Sequence, residues 1–253
     1  MSLKVRKILV SQPKPTNEKS PYFEIAEKHQ VEIDFRPFIK VERITIKEFR
    51  QQRIQILDFT AVVFTSRTAI DNFFSICEEL RITVPESLKY FCNSESIALY
   101  LQKYIVYRKR KIFFSKTGKI EGLANAFTKH NKEKILFPVS EQHNEDLTSF
   151  LDKKKLDYTK SVMYRTVSND FEEGEKLDYD LLLFFSPAGV SSLLKNFPDF
   201  VESHMAVGCF GKATATTLKD LGIELAIEAP APGVPSMTAA LDEFLTENHK
   251  RHS

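Results

Sequence analysis

The sequence predicts an α/β protein of two similar parallel-sheet domains, one inserted in the other and joined by a two-stranded extended hinge. Short apolar runs alternate with helix-patterned segments along the whole chain. In addition, one strand-to-helix unit is written twice. Asp180-Leu-Leu-Leu-Phe-Phe-Ser186-Pro187-Ala-Gly189-Val190 echoes Asp58-Phe-Thr-Ala-Val-Val-Phe-Thr65-Ser66-Arg67, and Met205-Ala-Val-Gly-Cys-Phe-Gly211-Lys212-Ala213-Thr214 echoes Tyr90-Phe-Cys-Asn93-Ser94-Glu95-Ser96. Ser66 lies 120 residues before Ser186 and Ser96 lies 118 before Thr214, a near-constant offset that reads as a duplication. Finally, two long extended stretches, Pro37 to Ile44 and Ser161 to Val167, each follow a helix and a charged strand.

Taken in order, Lys7 to Val10 is a short buried strand, and Ser20-Pro21 opens a helix to His29 with serine as N-cap and proline at the first helical position. Val31 to Phe35 alternates as a strand, closing a right-handed βαβ unit. Ile46 to Leu57 is expected to be helical, Ala61 to Phe64 a strand, and Asn72 to Leu80 the helix after it. Lys89 to Cys92, Ile112 to Phe114 and Lys134 to Ser140 are further strands, with helices over Ser96 to Lys103, Gly122 to Phe127 and Asn144 to Lys153. Asp157 to Thr166 runs extended. After the second copy of the repeated unit, strand Ile223 to Ile227 and a helix over Ser236 to Thr246 finish the chain.

This order divides the chain unevenly. Residues 1–36 and 168–253 make one discontinuous domain, 45–160 make the inserted one, and 37–44 with 161–167 are the hinge strands.

Composition narrows the function. A chain of 253 residues, 42% hydrophobic and with 21 Phe, fills two cores. No run approaches the roughly 18 to 20 apolar residues of a spanning helix. Met1-Ser-Leu-Lys-Val-Arg-Lys leads into the first strand without the pattern of a signal peptide. Cys77, Cys92 and Cys209 have no CxxC spacing and read as buried thiols of a reducing compartment, so a cytoplasmic protein is expected. A net charge of +2 gives no case for nucleic acid, and the basic run Tyr107 to Lys111 reads as a solvated turn. No apolar patch demands a partner, so a monomer is expected.

Ser66 and Ser186 each end a strand and open a helix, as do the turns Asn93 to Ser96 and Gly211 to Thr214. Parallel sheets gather such strand ends on one edge, where ligands of open α/β sheets bind. Each helix N-terminus offers amides and partial positive charge, so two such edges facing one another across a hinge suit a polyanion. Taken singly, each of these hydroxyls is an ordinary cap. Familiar catalytic devices are missing: His29, His130, His143, His204, His249 and His252 are scattered, with no HExxH, GxGxxG, P-loop or GxSxG motif. No motif supplies a metal site, and a dinucleotide or P-loop cofactor is not expected. Tyr164, in the returning crossover, is the one candidate acid, since a phenol keeps its proton at neutral pH and can donate it to a departing oxygen. Its blander reading is a half-buried strand tyrosine.

Phe64-Thr-Ser66, Phe185-Ser186-Pro187-Ala-Gly189-Val190, Gly211-Lys-Ala-Thr214-Ala, Pro138-Val-Ser140 and the Tyr164 crossover together resemble uroporphyrinogen-III synthase, over nearly the whole chain and in the same interrupted domain order. The resemblance implies closure of the linear tetrapyrrole hydroxymethylbilane to uroporphyrinogen III, with inversion of the last ring through a spiro intermediate and without a cofactor. It implies that Tyr164 assists loss of the substrate hydroxyl as water. Thr214, Ser186 and the amides around Gly189, Lys212 and Ala213 would then hold carboxylates, and Ser66, Arg67, Ser94, Ser96 and Ser140 would do so from the inserted domain. Asn93 and Ser96 stand where the family usually has Gly and Thr, Glu95 adds a negative charge, and Arg67 stands where Pro is common. The alternative from another class is a non-catalytic two-domain module that binds polyanions or tetrapyrroles, or regulates; an unrelated cofactor-free lyase is a third.

Overall fold

Short parallel strands carry most of the architecture, short because their apolar runs are short, and β8 is the long exception at 11 residues. The computed structural model describes residues 4–143, 145–172, 174–202 and 205–251, without the Asp146 side chain. Asn144, His204 and His252 lie outside the described residues. The elements in order are β1 Lys7–Val10, α1 Pro21–His29, β2 Glu32–Phe35, β3 Ile39–Arg43, α2 Ile46–Gln51, β4 Ala61–Phe64, α3 Arg67–Glu79, β5 Lys89–Cys92, α4 Glu95–Tyr100 and β6 Ile112–Phe114. Then follow α5 Ala124–Lys129, β7 Ile135–Ser140, α6 Asp146–Lys153, β8 Tyr158–Ser168, β9 Leu181–Phe184, α7 Pro187–Asn196, β10 Ala206–Phe210, α8 Lys212–Asp220, β11 Leu225–Ala229 and α9 Met237–Lys250.

The chain separates into two units. One holds the residues up to Lys40 and from Val167 onward, and the other is Val41–Thr166. The first unit has a five-stranded sheet in the order β11-β10-β9-β1-β2, and the second a six-stranded sheet in the order β3-β8-β7-β4-β5-β6. Matching β4 to β9, β5 to β10, β6 to β11, β7 to β1 and β8 to β2 makes the two orders identical, with β3 added outside β8. The duplication is therefore topological as well as local.

Parallel sheets are covered on both faces, which is why their strands read as continuous apolar runs. Ile8, Val10, Leu181 and Leu183 pack on one face with α1 and α9 residues such as Ile25 and Leu241. Leu9, Leu182 and Phe184 pack on the other with Val190, Leu193 and Leu218. In the second unit Val62 and Phe64 face the layer of Phe73 and Ile76, while Ala61 and Val63 face Phe127 and Leu151. Gly208 in β10 is there for space, because a Cβ would lie 2.6 Å from Leu183 Cδ2 and 3.0 Å from Ile227 Cβ.

Several helices depart from their expected bounds. α2 stops at Gln51 instead of reaching Leu57, because Arg53 takes a left-handed φ of 55°, and a single 3-10 turn, Ile56–Asp58, replaces its second half. α4 begins at Glu95, capped by Ser94, so Ser96 lies inside the helix. The helix expected from Gly122 is a 3-10 turn, Ile120–Leu123, leading into α5. Ser20 sits at the cap position of α1 but makes no side-chain cap bond.

Candidate functional site

The carboxyl ends of β4, β5 and β7 converge beside the middle of β8 in the second unit, and a cavity of about 880 Å³ opens there. Thr65, Asn93 and Ser140 line it from the strand ends, and Tyr164 lines it from within β8. Lys119 from the loop after β6, His143 from the loop after β7 and Lys153 from the end of α6 line it too, with Glu121 the opposing charge. A smaller, mostly apolar hollow of about 190 Å³ lies at the amino ends of β5 and β6, with Glu86, Arg108 and Lys111 on its wall.

Tyr164 reaches Ser66: the two hydroxyl oxygens are 3.3 Å apart. Ser66 Oγ also accepts the Ala69 amide at 3.0 Å as the cap of α3. A cap hydroxyl already fixed by a helix amide is a rigid partner for the phenol. The His143 Nδ1 proton is donated to the Ser140 carbonyl at 2.8 Å, and Nε2 lies 3.3 Å from Glu145 Oε1. Asn93 Oδ1 is buried on the cavity wall without a hydrogen-bond partner among the described residues, and orphaned atoms of this kind are satisfied by water or a ligand.

Other expected residues fall elsewhere. Ser94 caps α4 and Ser96 is exposed in its first turn, both beside a separate hollow of about 530 Å³ with Ser115 and Lys116. Arg67 is exposed, its guanidinium 5.2 Å from the centre of the Tyr100 ring. In the first unit Ser186 caps α7 by accepting the Gly189 amide at 3.2 Å, so that amide is already engaged. Pro187 has no amide proton to add. Lys212 and Ala213 are exposed at the start of α8, whereas Thr214 is 2% exposed, so its hydroxyl is not on the surface. Gly211 precedes α8 with φ 93° and supplies no side-chain cap, which leaves the first-turn amides to a ligand or to water.

Lys119, His143 and Lys153 are not singled out by their chemistry in the sequence. The strand-end rule, applied to every βα loop, marks Lys119 and His143. Nothing local marks Lys153, which enters the site from the far end of a helix. Among the described residues, no three His, Cys, Asp or Glu side chains gather as a metal ion requires. No described helix is long and apolar enough to cross a membrane.

Comparison with known proteins adds an independent line. Residues 20–239 match the family described as uroporphyrinogen-III synthase HemD. No curated protein sequence matches significantly. The solved structure of uroporphyrinogen-III synthetase from Helicobacter pylori is similar over 96% of this chain and 99% of its own, at 19% identity and a TM-score of 0.59. A mutant uroporphyrinogen III synthase from the extremely thermophilic bacterium Thermus thermophilus is similar over 97% and 99%, at 12% identity and a TM-score of 0.50. At these identities the structures speak for the fold.

Proposed function

The chain belongs to the uroporphyrinogen-III synthase HemD family, and we propose that it closes hydroxymethylbilane to uroporphyrinogen III, with inversion of the last ring and loss of one water. The family match across residues 20–239 carries this reading. In it, the Tyr164 hydroxyl donates its proton to the departing substrate hydroxyl, which leaves as water while a pyrrole nitrogen pushes electrons into the electrophile that remains. Ser66 orients the phenol, and the proton is recovered when the new ring carbon rearomatises. Positioned proton donation of this kind is worth about 10²- to 10⁴-fold in rate; the remainder is positioning of a flexible chain for the ring-inverting attack.

The substrate carries eight carboxylates. Lys119 and Lys153 at the cavity favour anionic arms there, and the uncapped start of α8 at Lys212 and Ala213 favours others in the first unit. Ser186, Gly189, Thr214, Ser94, Ser96, Ser140 and Arg67 remain part of the proposed binding set. Within it, Ser186, Gly189 and Thr214 act through the shape of their turns, since their polar groups are engaged or buried. The same proposal has the protein working as a cytoplasmic monomer, without cofactor or nucleic acid.

The test is an isomer assay. Freshly made hydroxymethylbilane is incubated with the protein, the product is oxidised, and uroporphyrins I and III are separated. A protein-dependent excess of isomer III is expected. Isomer I alone from folded protein, as in spontaneous closure, would leave the binding module as the better description.

A further inference from the structure

We propose that Gln52 is a positioning residue for Tyr164, acting through a bulge in β8; the proposal rests on the acid role read for Tyr164 above. Gln52 follows α2, and its carboxamide docks on the backbone of a residue 110 positions away. Its Nε2 donates to the Val162 carbonyl at 2.8 Å, and the Val162 amide donates to its Oε1 at 2.8 Å. A side-chain amide exchanging both bonds with one strand residue does what a neighbouring strand would do. β3 ends at Arg43, and Ile44 makes the last contact from that side by donating its amide to the Met163 carbonyl at 3.1 Å. Gln52 therefore continues the pairing where the neighbouring strand has stopped.

The place matters because the register changes there. Val139 of β7 pairs with Val162, but the next residue, Ser140, pairs with Tyr164, leaving Met163 as an extra residue. In a regular strand, consecutive carbonyls point to opposite edges. Here those of Val162 and Met163 are both met from the stretch 44–52, as an inserted residue requires. A one-residue shift exchanges the faces on which later side chains stand, and bulges re-aim side chains beside active sites. Met163 is fully buried, while Tyr164 is turned to Ser66 and the cavity. Past the bulge, the Glu141 amide donates to the Tyr164 carbonyl at 2.9 Å and resumes the ladder. Without Gln52, Val162 loses both its partners on that side, and the strand is free to slide out the extra residue.

The experiment is a double-mutant cycle in the isomer-III assay with the full chain, comparing wild type, Gln52→Ala, Tyr164→Phe and the double variant. Folding is checked by circular dichroism and urea unfolding. Gln52→Ala is expected to lower kcat about tenfold, because misplaced catalytic groups lose rate steeply, while KM stays within about twofold. In the Tyr164→Phe background the same change is expected to have no effect. A folded Gln52→Ala protein with wild-type kcat, or the same loss in both backgrounds, overturns the proposal and leaves the acid role standing. Wild type yielding only isomer I, or Tyr164→Phe with undiminished turnover, overturns the functional reading and this proposal with it. If Gln52→Ala does not fold, Gln52→Glu carries the same comparison, since it keeps the acceptor for the Val162 amide and loses the donor to its carbonyl.

Discussion

At Tyr164 the neighbours matter as much as the phenol. Replacing Tyr164 by Phe removes the donor and keeps the packing against the β4–α3 core, so turnover is expected to fall by about 10²-fold or more with little change in urea stability. Equal turnover would return the residue to a structural role. The next residue, Arg165, is held by Glu48, whose carboxylate accepts from Nη1 at 2.8 Å and Nη2 at 3.3 Å. Glu48 also accepts the Thr45 amide at 2.7 Å, closing the capping box of α2. The Arg165 hydrogen bond first, and the Thr45 amide and hydroxyl after it, lower the Glu48 pKa from 4.5 to about 2. A depressed carboxylate stabilises the fold in full above its ordinary pKa, and that contribution fades as pH falls toward the folded value. The stability difference between wild type and Glu48→Gln is therefore expected to be constant above about pH 5 and to shrink from pH 4.5 toward 2. Urea unfolding across that range checks it, and a difference unchanged down to pH 2 contradicts it.

At the scale of the element, the repeated strand–turn–helix unit shows what local sequence determines. Ser66 and Ser186 cap α3 and α7 with φ, ψ of −150°, 157° and −157°, 151°, each accepting an amide three residues on. A hydroxyl just after an apolar run suffices to read such a turn, because strand, cap and helix are contiguous. The second repeated turn is harder to read: in one copy the helix begins after Ser94, not at Ser96, and in the other it begins after Gly211, which carries no side chain to announce the boundary. Gly211 has φ 93° and ψ 139°, a region open essentially to glycine alone. Gly211→Ala is expected to cost about 1–3 kcal/mol of stability and to raise KM more than it lowers kcat, because it disturbs the first-turn amides of α8. A variant as stable as wild type would show that the turn relaxes without strain. The Gln52 clamp and the Met163 bulge have no sequence signal at all, because both depend on which strands pair. The early stop of α2 depends on a left-handed Arg53, a residue type that gives no warning of it.

At the scale of the molecule, two separate double-layered cores imply two stability units. Leu183 is fully buried in the first unit, where its removal is expected to cost about 2–5 kcal/mol; Phe91 is fully buried in the second, at about 3–5 kcal/mol. Because the losses belong to different cores, Leu183→Ala and Phe91→Ala are expected to destabilise different parts of one chain, and the three cysteines report which. Cys209 lies in the first unit, Cys77 and Cys92 in the second, and all three are buried and free. Burial pushes the thiols up, Cys77 and Cys92 to about 12 and Cys209 to about 11. Only the thiolate reacts, so the native protein resists thiol reagents until a unit opens. With limiting denaturant, Phe91→Ala is expected to label at Cys77 and Cys92 while Cys209 stays protected, and Leu183→Ala to show the reverse order. Mass spectrometry of labelled peptides separates the sites. Simultaneous labelling of all three in both variants would mean that the two cores unfold as one cooperative body, and the stability of the Tyr164 site would then be set as much by the first unit as by its own.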